Sequence, residues 1–112
     1  MWLFFCNAPI VSVFYKMGKI EDFSKVIKVV TELMDVTEQD ILGKSREQEV
    51  VDARWMSIHF LRVMGFSTQE IAGLIHHPIR TVNNASHNFL DRVRYSTNGL
   101  GNIFSAARQQ LL

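Results

Sequence analysis

The feature that most constrains the fold of this sequence is a pair of helical patterns separated by the tripeptide His76-His77-Pro78. Ser67 followed three residues later by Glu70 has the pattern of a capping box, which marks the start of a helix. Apolar residues at helical spacing follow it, namely Ile71, Leu74 and Ile75. This first helix must stop at the tripeptide, because proline cannot continue a helix and disfavours α geometry in the residue before it.

A second helix is predicted to restart near Ile79. Its predicted inward positions are Ile79, Val82, Ser86, Phe89 and Val93. The opposite side carries Arg80, Asn83, Asn84 and His87. A polar outward face is often only a solvated face, but such a face would be rich in Glu and Lys. These four side chains can instead donate to and accept from base edges in a major groove. Residues 44–89 therefore predict a helix-turn-helix that reads double-stranded DNA.

Composition limits the other possibilities. A chain of 112 residues with 47% apolar content predicts one packed domain rather than disorder. The net charge of +1 argues against a histone-like binder that relies on charge alone. Residues 44–94 nevertheless carry seven Lys and Arg against five acids, whereas residues 1–43 carry four Lys against six acids. Phosphate contacts are therefore expected to be modest and strongly dependent on salt.

The first fifteen residues are strongly apolar and contain no basic residue before Lys16, so they do not match a secretory signal. Asn7 and Pro9 interrupt them, and they are too short to span a bilayer. Three interpretations stay open: an arm packing on the domain or on a second copy, a true start at Met17, or a membrane-associated tip. The single cysteine, Cys6, excludes an internal disulfide and is typical of a cytoplasmic protein.

Periodicity predicts further helices around this pair. A first amphipathic helix covers roughly residues 20–34, and a Thr37–Asp40 capping box opens a short helix that Gly43 ends. A long helix follows from about Val50 to Met64. Its predicted inward positions are Val51, Ala53, Met56, Phe60, Leu61 and Met64. Without strand alternation after residue 15, the fold class is predicted as all-α, a small multi-helix bundle.

Three regions are predicted along the chain. Residues 1–19 form the apolar arm or a misassigned start, residues 20–95 the helix-turn-helix domain, and residues 96–112 a hinge with a short C-terminal helix. That last helix has an apolar stripe of Ile103, Phe104, Ala107 and Leu111. Because a small chain has little core on which to bury both the arm and this stripe, a homodimer formed through the termini is predicted. The alternative is that both segments fold back onto the helices around Phe23.

Several blocks of residues 20–93 resemble the C-terminal DNA-binding domain of the bacterial chromosomal replication initiator family, DnaA, which has a Trp-repressor-like fold. The run Ala53–Arg62 is similar to the family's Ala-Arg-Gln-Ile-Ala-Met-Tyr-Leu helix. The other blocks are residues 20–23, residues 36–46, Ser67–Ala72 (similar to Ser-Leu-Pro-Glu-Ile-Gly), and Thr81-Val82 followed by Ala85.

The resemblance implies roles for individual residues. It places Arg54 in the minor groove, and it assigns the phosphate backbone to Lys44, Arg46, Thr68 and Gln69. It also puts Arg80 and Thr81 where the family's helix meets bases. Both Arg54 and Arg80 lie off the predicted apolar stripes, so both are expected at the surface.

The family signature is altered in this chain. Where the family has Gly-Gly-Arg-Asp-His-Thr-Thr-Val, residues 76–82 are one residue shorter and lack the Asp-His pair. A different DNA target is therefore expected. Three acidic residues also reduce the net positive charge of the loop that leads into the long helix, namely Glu47, Glu49 and Asp52. A protein-interaction module that kept the fold and lost DNA binding is the alternative, and a continuous positive band through Lys44, Arg46, Arg54 and Arg80 would favour DNA.

No other chemistry is predicted. The four histidines, His59, His76, His77 and His87, lack metal-ligand spacing, and no nucleophile has a base at recognisable spacing. The absence of a Gly-rich phosphate loop predicts no ATPase module. We therefore expect no catalytic residue, cofactor, metal or small-molecule substrate. Trp55 is interpreted either as a core residue or as an exposed aromatic beside DNA.

Overall fold

The computed structural model describes residues 19–96 and 99–112, and in those ranges the chain is helical and contains no strand. The first helix, α1, covers residues 19–34 of the described chain. The others are α2 (Glu38–Leu42), α3 (Gln48–Val63), α4 (Thr68–Ile75), α5 (Ile79–Tyr95) and α6 (Leu100–Leu111). The all-α prediction is confirmed. The predictions for the N-terminal arm and for Cys6 lie outside the described residues.

Both predicted capping boxes are present. In α2 the Thr37 hydroxyl accepts from the Asp40 N–H at 3.0 Å, and the Asp40 carboxylate accepts from the Thr37 N–H at 3.1 Å. In α4 the Ser67 hydroxyl accepts from the Glu70 N–H at 3.1 Å, and the Glu70 carboxylate accepts from the Ser67 N–H at 3.0 Å. Each box satisfies N–H groups that a helix start leaves without a partner.

The turn between α4 and α5 forms where the tripeptide predicts it. His76 adopts the left-handed conformation at the end of α4, with φ 60° and ψ 40°. The His77 N–H donates to the Ala72 carbonyl at 3.2 Å, and Pro78 is the residue before α5. Histidine is among the non-glycine residues that adopt this conformation more readily than most. The tripeptide therefore separates the end of α4 from the start of α5 by three residues.

Helix α3 is the centre of the bundle and packs against α2, α4 and α5. Most of its circumference is buried, including the polar side chains of Asp52, Arg54 and Ser57. The Ser57 hydroxyl donates to the Ala53 carbonyl at 2.9 Å, which satisfies it inside the helix. The prediction of one inward stripe was too narrow for a helix that has neighbours on several sides.

Helix α6 packs onto the core of its own chain, so its stripe is not the free surface on which the dimer prediction partly rested. The Phe104 ring contacts the rings of His59, Phe60 and Phe89, each at a centroid distance of 5.4 Å. On the same helix, Ala107 and Leu111 are buried. The aromatic cluster formed by these four rings joins α3, α5 and α6, so the α6 stripe already has its partner within the chain.

Ile79, which was predicted to face inward, is exposed, and so is Ile20 of α1. Ile20 lies near the start of the described chain, and Ile79, 44% exposed, is the first residue of α5. The buried stripe of α5 consists of Val82, Ala85 and Phe89, so it begins one turn later than predicted. No helix within 19–96 and 99–112 has the length and apolarity needed to cross a membrane.

Candidate nucleic-acid interface

The loop that joins α2 to α3, residues 43–47, is here called the approach loop. Its residues alternate in exposure: Gly43 and Ser45 are half-buried, whereas Lys44 and Arg46 are exposed. The Ser45 hydroxyl accepts from the Glu47 N–H at 3.3 Å, immediately before α3 begins. The alternation presents both basic side chains to solvent while the backbone between them faces the protein.

Arg54 is buried, so its predicted surface position is wrong. The side chain is 5% exposed, and its guanidinium donates to four backbone carbonyls at the end of α2 and in the approach loop. These acceptors are Ile41 (2.8 Å), Ser45 (3.2 Å), Asp40 (3.0 Å) and Gly43 (2.8 Å). The last carbonyls of a helix have no partner within the helix, and a basic side chain can satisfy them. Arg54 therefore caps α2 and anchors the approach loop.

His77 reaches the same loop from the helix-turn-helix turn. Its Nε2–H donates to the Gly43 carbonyl at 2.8 Å. Burial and the nearby positive charge of Arg54 lower the pKa of His77, so the neutral imidazole is favoured. A Cβ on Gly43 would lie only 3.0 Å from the Gln39 carbonyl oxygen, so this close approach of the loop to α2 favours glycine.

A salt bridge stabilises the N-terminus of α4 in addition to its capping box. Lys19 Nζ lies 2.6 and 2.7 Å from the two carboxylate oxygens of Glu70 and 5.0 Å from the Phe66 ring centroid. The hydrogen bond from Lys19, followed by that from the Ser67 backbone, lowers the pKa of Glu70. Beside it Thr68 is half-buried and Gln69 exposed. This helix start is therefore closed by protein groups, with Gln69 the more accessible of the two predicted phosphate contacts.

The first turn of α5 is arranged differently. Its preceding residue, Pro78, supplies no side-chain cap, and no acidic residue lies in the first turn. The N–H groups there carry the positive end of the helix dipole, and exposed Arg80 adds a full charge. Further along the same outward side, Asn84 and His87 are exposed, whereas Thr81 and Asn83 are half-buried. This side can therefore attract anions at its start and form hydrogen bonds along its length.

Asp52 does not reduce the positive charge around the approach loop, because it is 1% exposed and forms an ion pair with Arg92 of α5. The Arg92 guanidinium also lies over the half-buried Trp55 ring, 5.2 Å from its centroid. Trp55 packs against the core, as one of its two interpretations predicted. Sequence inspection missed the Asp52–Arg92 pair, because the two residues are 40 positions apart and no local pattern links them.

The structure therefore brings together only part of the predicted set. Lys44 and Arg46 occupy one exposed loop, and Arg80, Asn84 and His87 one exposed helix side. The His77–Gly43 hydrogen bond links the two regions. Because Arg54 is almost fully buried, it contributes little to a positive surface band between these two regions. In the part of the chain that the structure describes, no group of three or more His, Cys, Asp or Glu side chains could hold a metal ion.

A family model described as bacterial dnaA protein helix-turn-helix matches residues 23–85, more than half of the chain. The chain belongs to this family. The match runs from Phe23 in α1 to Ala85 in α5, so it includes the approach loop, α4 and the first turns of α5. The DnaA resemblance is thereby confirmed, and with it a helix-turn-helix of a DNA-binding family. No curated protein and no solved structure matches this chain.

Proposed function

We propose that this chain is a sequence-specific double-stranded DNA-binding protein with a transcriptional or replication-linked role in the cytoplasm. The observation that carries the proposal is the exposed outward side of α5, where Arg80, Asn84 and His87 project from the second helix of a DnaA-type helix-turn-helix. In helix-turn-helix proteins the N-terminal part of that helix meets base edges in the major groove. Asn83 and Thr81 are half-buried contributors on the same side.

Phosphate contacts would come from two places. Lys44 and Arg46 project from the approach loop, and Thr68 and Gln69 lie at the start of α4. Such contacts fix the register of the protein on the duplex without selecting a sequence. Arg54 would have to leave four carbonyls to enter a minor groove. We therefore assign Arg54 to the support of the approach loop rather than to a minor-groove contact.

A selection from random duplex DNA at two salt concentrations tests the proposal. We expect one enriched motif at low salt, weaker recovery at high salt, and a motif different from the initiator family's box, since the Asp-His pair is absent. Enrichment of that family box would contradict the expected change of target. No enrichment at either salt concentration would contradict DNA recognition itself.

Replacement of Arg80 provides the sharper test. Arg80→Ala should weaken binding to the selected duplex by about 1–3 kcal/mol, roughly 5- to 150-fold, because one base contact is lost. Arg94→Ala is the matched control: Arg94 is exposed on the same helix, about 21 Å further along at 1.5 Å per residue. We expect unchanged affinity for Arg94→Ala, measured by fluorescence anisotropy. Equal affinities for the wild type and both variants would remove α5 from the interface.

A protein-interaction module is the second candidate. Two apolar side chains of α5, Ile79 and Leu90, are 44% and 51% exposed, and the acids Glu47 of the approach loop and Glu49 of α3 are exposed as well. Exposed apolar side chains and exposed acids are both more typical of a surface for a protein partner than of one for DNA. Failure of the duplex selection combined with full folding would favour this candidate.

Homodimerisation stays a proposal with a narrower basis. Because α6 buries its stripe against the core, the apolar run of residues 1–15 is the remaining argument from the sequence. Sedimentation of the full chain against a chain that starts at Met17 tests it. A full-length monomer at tens of micromolar would contradict a dimer.

A further inference from the structure

The Gly43 carbonyl accepts two hydrogen bonds from different parts of the fold. Arg54 Nη2 of α3 donates at 2.8 Å, and His77 Nε2 of the helix-turn-helix turn donates at 2.8 Å. The first bond fixes the approach loop relative to α3. The second bond fixes the loop relative to the turn that leads into α5. Arg80 lies three residues after His77, in the first turn of α5.

Because exposure alternates along the approach loop, this link also affects where the basic side chains of the loop point. The anchored carbonyls belong to Gly43 and Ser45, while the exposed basic side chains belong to Lys44 and Arg46. Because exposure alternates from residue to residue along the loop, a rotation of the Gly43 carbonyl would redirect the basic side chains that follow it. The hydrogen bonds to the Gly43 carbonyl therefore also fix the positions of Lys44 and Arg46, the proposed phosphate contacts.

His77 is itself fixed at both ends. Its backbone N–H donates to the Ala72 carbonyl at 3.2 Å, which closes α4, and its ring donates to Gly43. Pro78 follows it and restricts its backbone to extended conformations. The imidazole therefore stands on a short, constrained segment between the two helices of the motif.

We infer that His77 is a positioning residue that couples the approach loop to the helix-turn-helix turn, so that Lys44 and Arg46 meet phosphates while α5 meets bases. The inference rests on the proposed DNA-binding function. Groups that must act at once bind better when they are held beforehand in the bound geometry. His77 touches no DNA in this role and acts through the loop.

Proteolysis of the free protein tests the coupling without DNA. Trypsin cleaves after Lys44 and Arg46, and under native conditions its rate follows the population of the opened loop. Loss of one hydrogen bond should make cleavage at these two sites about five-fold faster in His77→Ala, the ratio that ~1 kcal/mol gives. His77→Gln should restore the wild-type rate, because the glutamine amide can donate to the same carbonyl.

The adjacent histidine supplies the matched control. His76→Asn keeps a residue that tolerates the left-handed conformation and should leave loop cleavage unchanged. Unchanged loop cleavage in His77→Ala would overturn the inference. Equally faster cleavage after Lys25 and Lys28 of α1 would also overturn it, because general destabilisation would then account for the effect.

The dependence of DNA affinity on salt gives the second measurement. If Lys44 and Arg46 each neutralise one phosphate, their loss of position in His77→Ala should reduce the slope of log Kd against log salt by up to about 1.8. His77→Gln should restore the slope. An unchanged slope in His77→Ala would overturn the coupling. If the wild-type protein fails to bind duplex, the proposed function falls, while the cleavage rates still decide whether His77 positions the loop.

Discussion

Helices α3 and α5 lie against each other, yet they use their charged side chains in opposite ways. In α3 the charged groups Asp52 and Arg54 face inward and are buried. In α5 a single apolar stripe is buried, and Arg80 on the opposite side is exposed. The comparison teaches that a charged residue in a helical pattern indicates a surface only when the helix has one buried side.

The physical reason is the number of neighbours. Since α3 packs against α2, α4 and α5, a polar side chain on it is desolvated and needs an internal partner. Arg54 finds backbone carbonyls and Asp52 finds Arg92. Among the described residues no buried side-chain polar atom lacks a hydrogen-bond partner. The buried charges of α3 therefore stabilise the architecture, and Arg92 of α5 takes part in this, whereas Arg80 of α5 stays exposed.

The largest effect should separate the two arginines. Arg54→Ala removes the donor of four hydrogen bonds, of which the one to the Ile41 carbonyl is buried, while the Gly43 carbonyl keeps its bond from His77. We expect a loss of about 3–5 kcal/mol in the free energy of unfolding, a large share of the ~5–15 kcal/mol of a typical domain. Arg80→Ala should change it by less than about 0.5 kcal/mol, because its side chain is exposed. Urea denaturation followed by circular dichroism measures both, and equal stabilities would break the comparison.

A smaller effect is expected where the two helices meet. Arg92→Ala takes the arginine away from a buried carboxylate and from the Trp55 ring. We expect a loss of about 2–3 kcal/mol, below the ~3–5 kcal/mol of a fully buried pair, because Arg92 is partly exposed. Arg94→Ala, two residues away and exposed, is the control and should lie within about 0.5 kcal/mol of the wild type. A stable Arg92→Ala variant would show that Asp52 is held by its other contacts.

Much of the fold could be predicted because its signals are local. The Ser67–Glu70 box, the Thr37–Asp40 box and the tripeptide before α5 each determine a helix boundary within a few residues. The exposed positions of Arg80, Asn84 and His87 follow from the helical period of α5 alone. These signals needed no knowledge of what packs against the helix.

The rest depended on contacts between distant parts of the chain. Arg54 reaches carbonyls 9 to 14 residues earlier, and His77 reaches a carbonyl 34 residues earlier. The apolar stripe of α6 was predicted, but its docking on Phe60 and Phe89 required the tertiary arrangement. Local periodicity describes a helix side and cannot state which element covers it.

Histidines extend the comparison to pH. His59 of α3 lies in the aromatic cluster, where burial, followed by the charge of Arg108, lowers its pKa. Burial also lowers the pKa of His77. His87 of α5 is exposed instead. A histidine whose pKa is lowered by folding binds protons more readily in the unfolded chain. The free energy of unfolding therefore falls once the pH is low enough for the unfolded chain to take up that proton.

We therefore expect the free energy of unfolding to be constant above pH ~7 and to fall as the pH drops through ~6.5, the ordinary pKa of histidine. The decrease should continue until the lowered pKa of the folded state is passed. His59→Phe and His77→Gln should each flatten the dependence, whereas His87→Gln, at an exposed position of α5, serves as the control. Urea denaturation at a series of pH values measures this. A free energy of unfolding that stays level from pH 7 to 5 in the wild type would mean that folding lowers the pKa of neither half-buried histidine, and the comparison of α3 with α5 would then rest on their arginines alone.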